Sequence, residues 1–134
     1  MNISIKITKR KDMRPEVDGV DWFWDPNGDL TVQVAPMSDW RYEVLLAIHE
    51  VCEAVLCKNN GVSQESVDRF DQEFNKTHAF DVNAGDDPKS PYTHEHCVAT
   101  AIERVMAAEM RVPWLAYDQE LCDRYPGPGK KDSK

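Results

Sequence analysis

The sequence predicts an α+β fold, a small N-terminal antiparallel β-sheet packed on three main α-helices, and three observations carry that reading. Apolar residues recur at every second position before Pro36. After Pro36 they recur at the helical period of about 3.6 residues. Turn and stop residues punctuate both regions: Asp25-Pro26-Asn27-Gly28-Asp29 within the first, Gly61 and Pro113 within the second. The 134 residues, 41% of them hydrophobic, suit one domain with one core. Residues 1–124 are assigned to that domain and residues 125–134, rich in Pro, Gly and Lys, to a disordered tail.

Each element has its own local cause. Ile3, Ile5 and Ile7 alternate with Ser4 and Lys6, the pattern of a half-buried strand. Val20, Trp22 and Trp24, then Leu30, Val32 and Val34, flank the Asp-Pro-Asn-Gly-Asp turn and read as a hairpin over residues 19–35. Ser38 is the expected cap of a helix running to Asn60, with Asp39 in its first turn and Gly61 at its left-handed end. Ser63 is the expected cap of the next helix, which ends near Lys76, with Val62 and Val67 as a hydrophobic staple. Residues 77–90 are polar and form a long loop, a length that commonly carries function. Ser90-Pro91 is expected to open a third helix that runs through Met110. A short helical turn over Trp114–Cys122 packs back on it.

The net charge is −8. An acidic surface repels phosphate backbones, so nucleic acid is excluded as the expected partner. The charge is compatible with a cation or with a basic protein. No apolar run approaches the roughly 20 residues that span a bilayer, so no membrane partner is expected. The N-terminus has no signal-peptide core, and the expected location is the cytoplasm, with thiols reduced. Cys52, Cys57, Cys97 and Cys122 form no CxxC pair and are expected to be free of disulfides.

The chemistry concentrates on the first long helix. On a helical wheel, Val44, Ala47, Ile48, Val51, Cys52, Ala54 and Val55 cover most of its circumference. The remaining sector holds Tyr42, Glu43, His49, Glu50 and Glu53 with Leu46 and Cys57. Lys, Arg, Gln and Ser, the usual occupants of a wet face, are missing from it. His49 and Glu53 stand four residues apart and rise from one face, so both can close on one ion. Glu50 sits beside them as a proton acceptor. The bland alternative is a solvated face of an amphipathic helix. Two ligands do not hold a zinc ion, and the third helix supplies candidates in His94, His96, Cys97 and Glu103. His96, Thr100 and Glu103 share one stripe, opposite Val98, Ile102, Val105 and Met106. His96 is the preferred third ligand and Glu103 the second choice, or else a group that orients a ligating histidine from behind. On the second helix Asp71 lies beside the stripe of Val67, Phe70 and Phe74 and is expected at its surface rim, with pairing to Arg104 or Arg69, or a place behind the metal ligands, as the alternatives.

His49-Glu50-Val51-Cys52-Glu53 resembles the zincin motif His-Glu-x-x-His, with Glu53 in place of the second histidine. The helix, the Gly85-Asp86-Asp87-Pro88 stretch and Pro91-Tyr92-x-x-Glu95-His96 together also resemble small uncharacterised phage or prophage proteins, over about residues 30–118. The zincin resemblance implies a zinc ion, His49 and Glu53 as ligands, Glu50 as catalytic base, and hydrolysis of an amide bond in a peptide or protein. The phage resemblance implies the host cytoplasm. Two other readings compete. Glu50-x-x-Glu53 followed by Glu65-x-x-Asp68 resembles the acidic pairs with which helical nucleotide pyrophosphohydrolases hold Mg²⁺. An acidic compact protein can also act without catalysis, by binding a host protein.

Overall fold

The computed structural model describes residues 1–78 and 82–126. Three strands, β1 (Ile3–Ile7), β2 (Val20–Trp24) and β3 (Leu30–Val34), are followed by four helices, α1 (Trp40–Asn60), α2 (Gln64–Asn75), α3 (Thr93–Glu109) and α4 (Trp114–Arg124). Short 3-10 turns occupy Arg10–Asp12 and Ala84–Asp86. The fold is α+β.

The sheet is mixed rather than wholly antiparallel. β2 and β3 form the expected antiparallel hairpin, with Trp22 opposite Val32. β1 pairs parallel with β3, Ile5 opposite Val32, so the order is β1-β3-β2. A period-2 pattern sets the faces of a strand and not its partner. Residues 8–19 let the chain cross over, and Arg14 ties this segment down through Asp21 (2.8 Å) and Asp68 of α2 (3.0 Å). β1 is therefore an edge strand, and its isoleucines are exposed where half-burial was expected.

α1 lies on β2 and β3 and pairs along its length with α3. Leu30, Val32, Val34, Leu45, Ala54 and Cys57 form the driest part of the core between these layers. The caps differ from expectation at two helices. Asp39, not Ser38, caps α1, its carboxylate accepting from Arg41 N at 2.9 Å. Ser38 instead donates its backbone N–H to Glu120 of α4 at 2.8 Å. Ser90 and Pro91 precede α3 in a turn, with Tyr92 as the cap residue and no side-chain bond closing the helix. Ser63 does cap α2, accepting from Ser66 N at 3.2 Å, and Gly61 ends α1 at φ 75°. Tyr125, assigned to the tail by sequence, packs against Gly19, where a Cβ would lie 2.7 Å from its ring. The rest of the expected tail, residues 127–134, and residues 79–81 of the long loop lie outside the described residues. Among the described residues no helix is long and apolar enough to cross a membrane, and no disulfide joins the four cysteines.

Candidate metal centre

α1 and α3 turn their ligand-type residues toward one another. His49, Glu50, Glu53, His96 and Glu103 are all buried, each less than a tenth exposed. A solvated helix face is thereby ruled out for them. The polar sector of α1 is its inner face, and the cleft it lines, about 460 Å³, is bounded by β2, α2, α3 and α4.

Glu53 is the hub. Its Oε2 lies 3.1 Å from His49 Nε2 and 3.0 Å from His96 Nδ1. Its Oε1 accepts from the Trp22 indole at 3.0 Å. Each histidine is also held from behind. His49 Nδ1 is 2.8 Å from Glu103, which accepts in turn from the Tyr117 hydroxyl. His96 Nε2 is 3.2 Å from Asp86. Gly85 presses on the His96 ring so closely that a Cβ would sit 2.5 Å from it. The chain Asp86, His96, Glu53, His49, Glu103, Tyr117 is thus continuous. One donor atom each from His49, Glu53 and His96 lies within 4.8 Å of the other two. The edge of a tetrahedral zinc site is roughly 3.3 Å, so these donors could hold a metal ion.

The electrostatics follow from who faces whom. Both nitrogens of His49 meet carboxylates, so both act as donors and the ring is cationic. Burial opposes that charge, but the bonds to Glu103 and Glu53 outweigh it and raise His49 to about 11. Burial likewise pushes Glu53 up, and the two histidines more than reverse it, leaving Glu53 well below the ordinary carboxylate range. Glu50 has no such relief. Burial, then the charge of Glu53, hold its carboxyl well above the ordinary value. It lines the cleft.

Other candidates fall away from the site. His94 and Cys97 are exposed. Glu43 accepts from Met37 N at the start of α1. Glu65 is exposed, and Asp68 is bound by Arg14, so the second acidic pair does not join the first around one ion. Asp71 pairs with neither Arg69 nor Arg104. It accepts from the Tyr92 hydroxyl at 2.6 Å and faces the cleft. Three contributors escaped the sequence reading. Trp22 reads there only as a strand residue, and Tyr117 only as part of a short turn. Asp86 had a signal, since it lies in the long polar loop and in the Gly-Asp-Asp-Pro stretch.

No family model matches this chain, and no curated protein and no solved structure is significantly similar to it.

Proposed function

We propose that this protein is a zinc-dependent hydrolase of zincin type, with His49, Glu53 and His96 as the ligands and Glu50 as the base. The observation that carries the reading is the convergence of three buried donors, each braced from outside. Two histidines and one carboxylate are the ligand set of many catalytic zinc sites, which leave the fourth position open. On α1 the second histidine is replaced by Glu53, but His96 restores the composition of the set from α3. The donor charge is then that of an ordinary two-histidine, one-carboxylate site. With Nε2 of His49 and Nδ1 of His96 given to an ion, Glu103 and Asp86 still accept the far N–H of each ring, the bracing typical of ligating histidines.

Such an ion supplies Lewis-acid polarisation of a carbonyl and makes water acidic near neutral pH. The chain's own residues do the rest. Trp22 fixes the free oxygen of Glu53, so the carboxylate presents one oxygen to the site. Glu103 and Tyr117 fix the plane of His49. Glu50 lines the cleft without a hydrogen-bond partner among the described residues, and burial raises its proton affinity, as suits a general base. It accepts the proton of the attacking water and passes it to the leaving amine. The zincin resemblance favours an amide bond in a peptide as the substrate.

The test begins with metal. Purified protein, stripped with a chelator and titrated with Zn²⁺ by calorimetry, is expected to bind about one ion per chain. His49→Ala and His96→Ala are expected to lose that binding. Glu50→Gln is expected to keep it and to lose all cleavage of a fluorogenic peptide library that the zinc-loaded wild type cleaves. Absence of zinc binding by the folded wild type overturns the metal reading. Zinc binding without cleavage overturns the peptidase reading alone.

A further inference from the structure

The edge of the sheet carries a second feature, unrelated to the metal cluster. Ile3, Ile5 and Ile7 are 46%, 53% and 52% exposed. Their register partners Leu30, Val32 and Val34 are fully buried beneath α1. Cross-strand partners share a face, so the isoleucines lie on the helix-bearing side of the sheet, in a place that no helix covers. Trp22 of β2 bonds Glu53, which puts the cleft on the β2 side of α1. β1 is at the opposite edge of the sheet, and the outward arc of α1 separately leaves Trp40, Val44 and Val55 67%, 37% and 41% exposed. Ile3, Ile5 and Ile7 thus form an exposed apolar row along the sheet edge.

The backbone of β1 is equally unfinished. Asn2 C=O accepts from Leu30 N, and Thr8 N–H donates to Val34 O, so the even-numbered residues direct their polar groups at β3. Strand geometry alternates, and the N–H and C=O of Ile3, Ile5 and Ile7 therefore point outward from the sheet. An edge strand that is apolar and unprotected is a template for another strand.

We propose that β1 pairs antiparallel with β1 of a second copy of this chain, about a two-fold axis at Ile5, joining two three-stranded sheets into one of six strands. The strand is self-complementary in that register. Ile5 meets Ile5 and Ile3 meets Ile7, each as a hydrogen-bonded pair that uses the outward groups. Ser4 meets Lys6 on the other face, so no like charges stand opposite. A closed two-fold contact consumes the β1 edge of both copies.

Sedimentation velocity over a concentration series tests this. The wild type is expected to sediment at twice the chain mass. Ile5→Lys, which sets two ammonium groups opposite each other, is expected to sediment as a monomer with at least a tenfold weaker dimer constant. Its far-UV circular dichroism is expected to match the wild type, since the side chain is half exposed. Ile5→Glu is expected to be monomeric as well, and an equimolar mixture of the two variants to recover the dimer through Lys–Glu pairing at the axis. A wild type that stays monomeric at the highest concentration overturns the proposal. So does a dimer that survives Ile5→Lys but is broken by Val105→Glu on α3, or a mixture that stays monomeric.

Discussion

The two faces of α1 invert the usual arrangement of a surface helix. The inner face carries His49, Glu50 and Glu53 into a buried cluster, while the outer arc of Trp40, Val44 and Val55 meets solvent. On α3 the same contrast sets buried His96 and Glu103 against exposed Ile102 and Val105. Burying charge costs several kcal/mol per ion unless partners replace the lost water. Here five of the groups in the chain from Asp86 to Tyr117 bond to the next one. Exposed apolar groups cost far less, and a scattered few are normal on any protein. The contrast teaches that the inner face joins this polar network to the apolar packing of Leu45, Leu46, Ala47, Ala54 and Cys57, so its stability and its chemistry are coupled.

The largest effect is expected from breaking the inner face at its cation. His49→Ala leaves Glu53 and Glu103 buried with one partner fewer each. Removal of one member of a buried ion pair costs about 3–5 kcal/mol, which urea unfolding of the metal-free protein is expected to show alongside the loss of zinc binding. A loss under 1 kcal/mol would mean that the cluster is solvated.

A smaller loss is expected one step further out. Tyr117→Phe removes the hydroxyl that bonds Glu103, and leaves a buried acceptor short of a donor at about 1–2 kcal/mol. If Glu103 aligns His49 for an ion, zinc affinity is expected to fall by roughly 10–100-fold in the same variant. Stability loss with unchanged affinity would separate the packing role of Tyr117 from its bracing role.

The rim of the cleft gives a pH-dependent effect. Burial, together with the charges of Glu53, Asp18 and Asp68, raises Asp71 to about 7 against the opposing bond from Tyr92. The folded state keeps a proton there that the unfolded chain releases near pH 4. The stability contributed by that proton is complete below pH 4 and is lost as pH rises toward 7. Asp71→Asn keeps an acceptor for Tyr92 and removes the titration. It is expected to gain on the order of 1 kcal/mol over the wild type at pH 8 and nothing at pH 4, read from urea midpoints. Equal midpoint shifts at both values would show that Asp71 titrates as an ordinary surface carboxyl.

The outer face is expected to respond least. Val105 is 62% exposed, and Val105→Ser is expected to change stability by less than about 0.5 kcal/mol. A larger loss would show that this arc is covered in solution and that the contrast between the faces is incomplete.

The helical wheel made the ligand-type sector of α1 legible, and the stripe of His96 and Glu103 on α3 likewise. Both rest on spacing within a single helix. The wheel did not say which sector faces inward. Composition alone favours burying the valines; the protein leaves Val44 and Val55 exposed and buries His49, Glu50 and Glu53 together with Ala47 and Ala54. The caps of α1 and α3 stand one to two residues beyond Ser38 and Ser90, which have the chemistry of caps but are drawn to other duties. Ser38 bonds Glu120 of α4, and the Ser90 hydroxyl accepts from Tyr92 N.

The sequence by itself determined the order and type of the elements and the placement of His49, Glu50 and Glu53 on one helix face. These depend on backbone preferences and periodicities that act over a few residues. Only the tertiary structure decided that β1 lies parallel to β3 at the sheet edge. It alone decided that Glu103 stands behind His49, Asp86 behind His96 and Trp22 behind Glu53. His49 and Glu103 are 54 residues apart in the chain, His96 and Glu53 are 43 apart, and Trp22 and Glu53 are 31 apart. Contacts at such separations arise when whole elements pack, and the buried polar groups then take whichever partners that packing brings within hydrogen-bond reach.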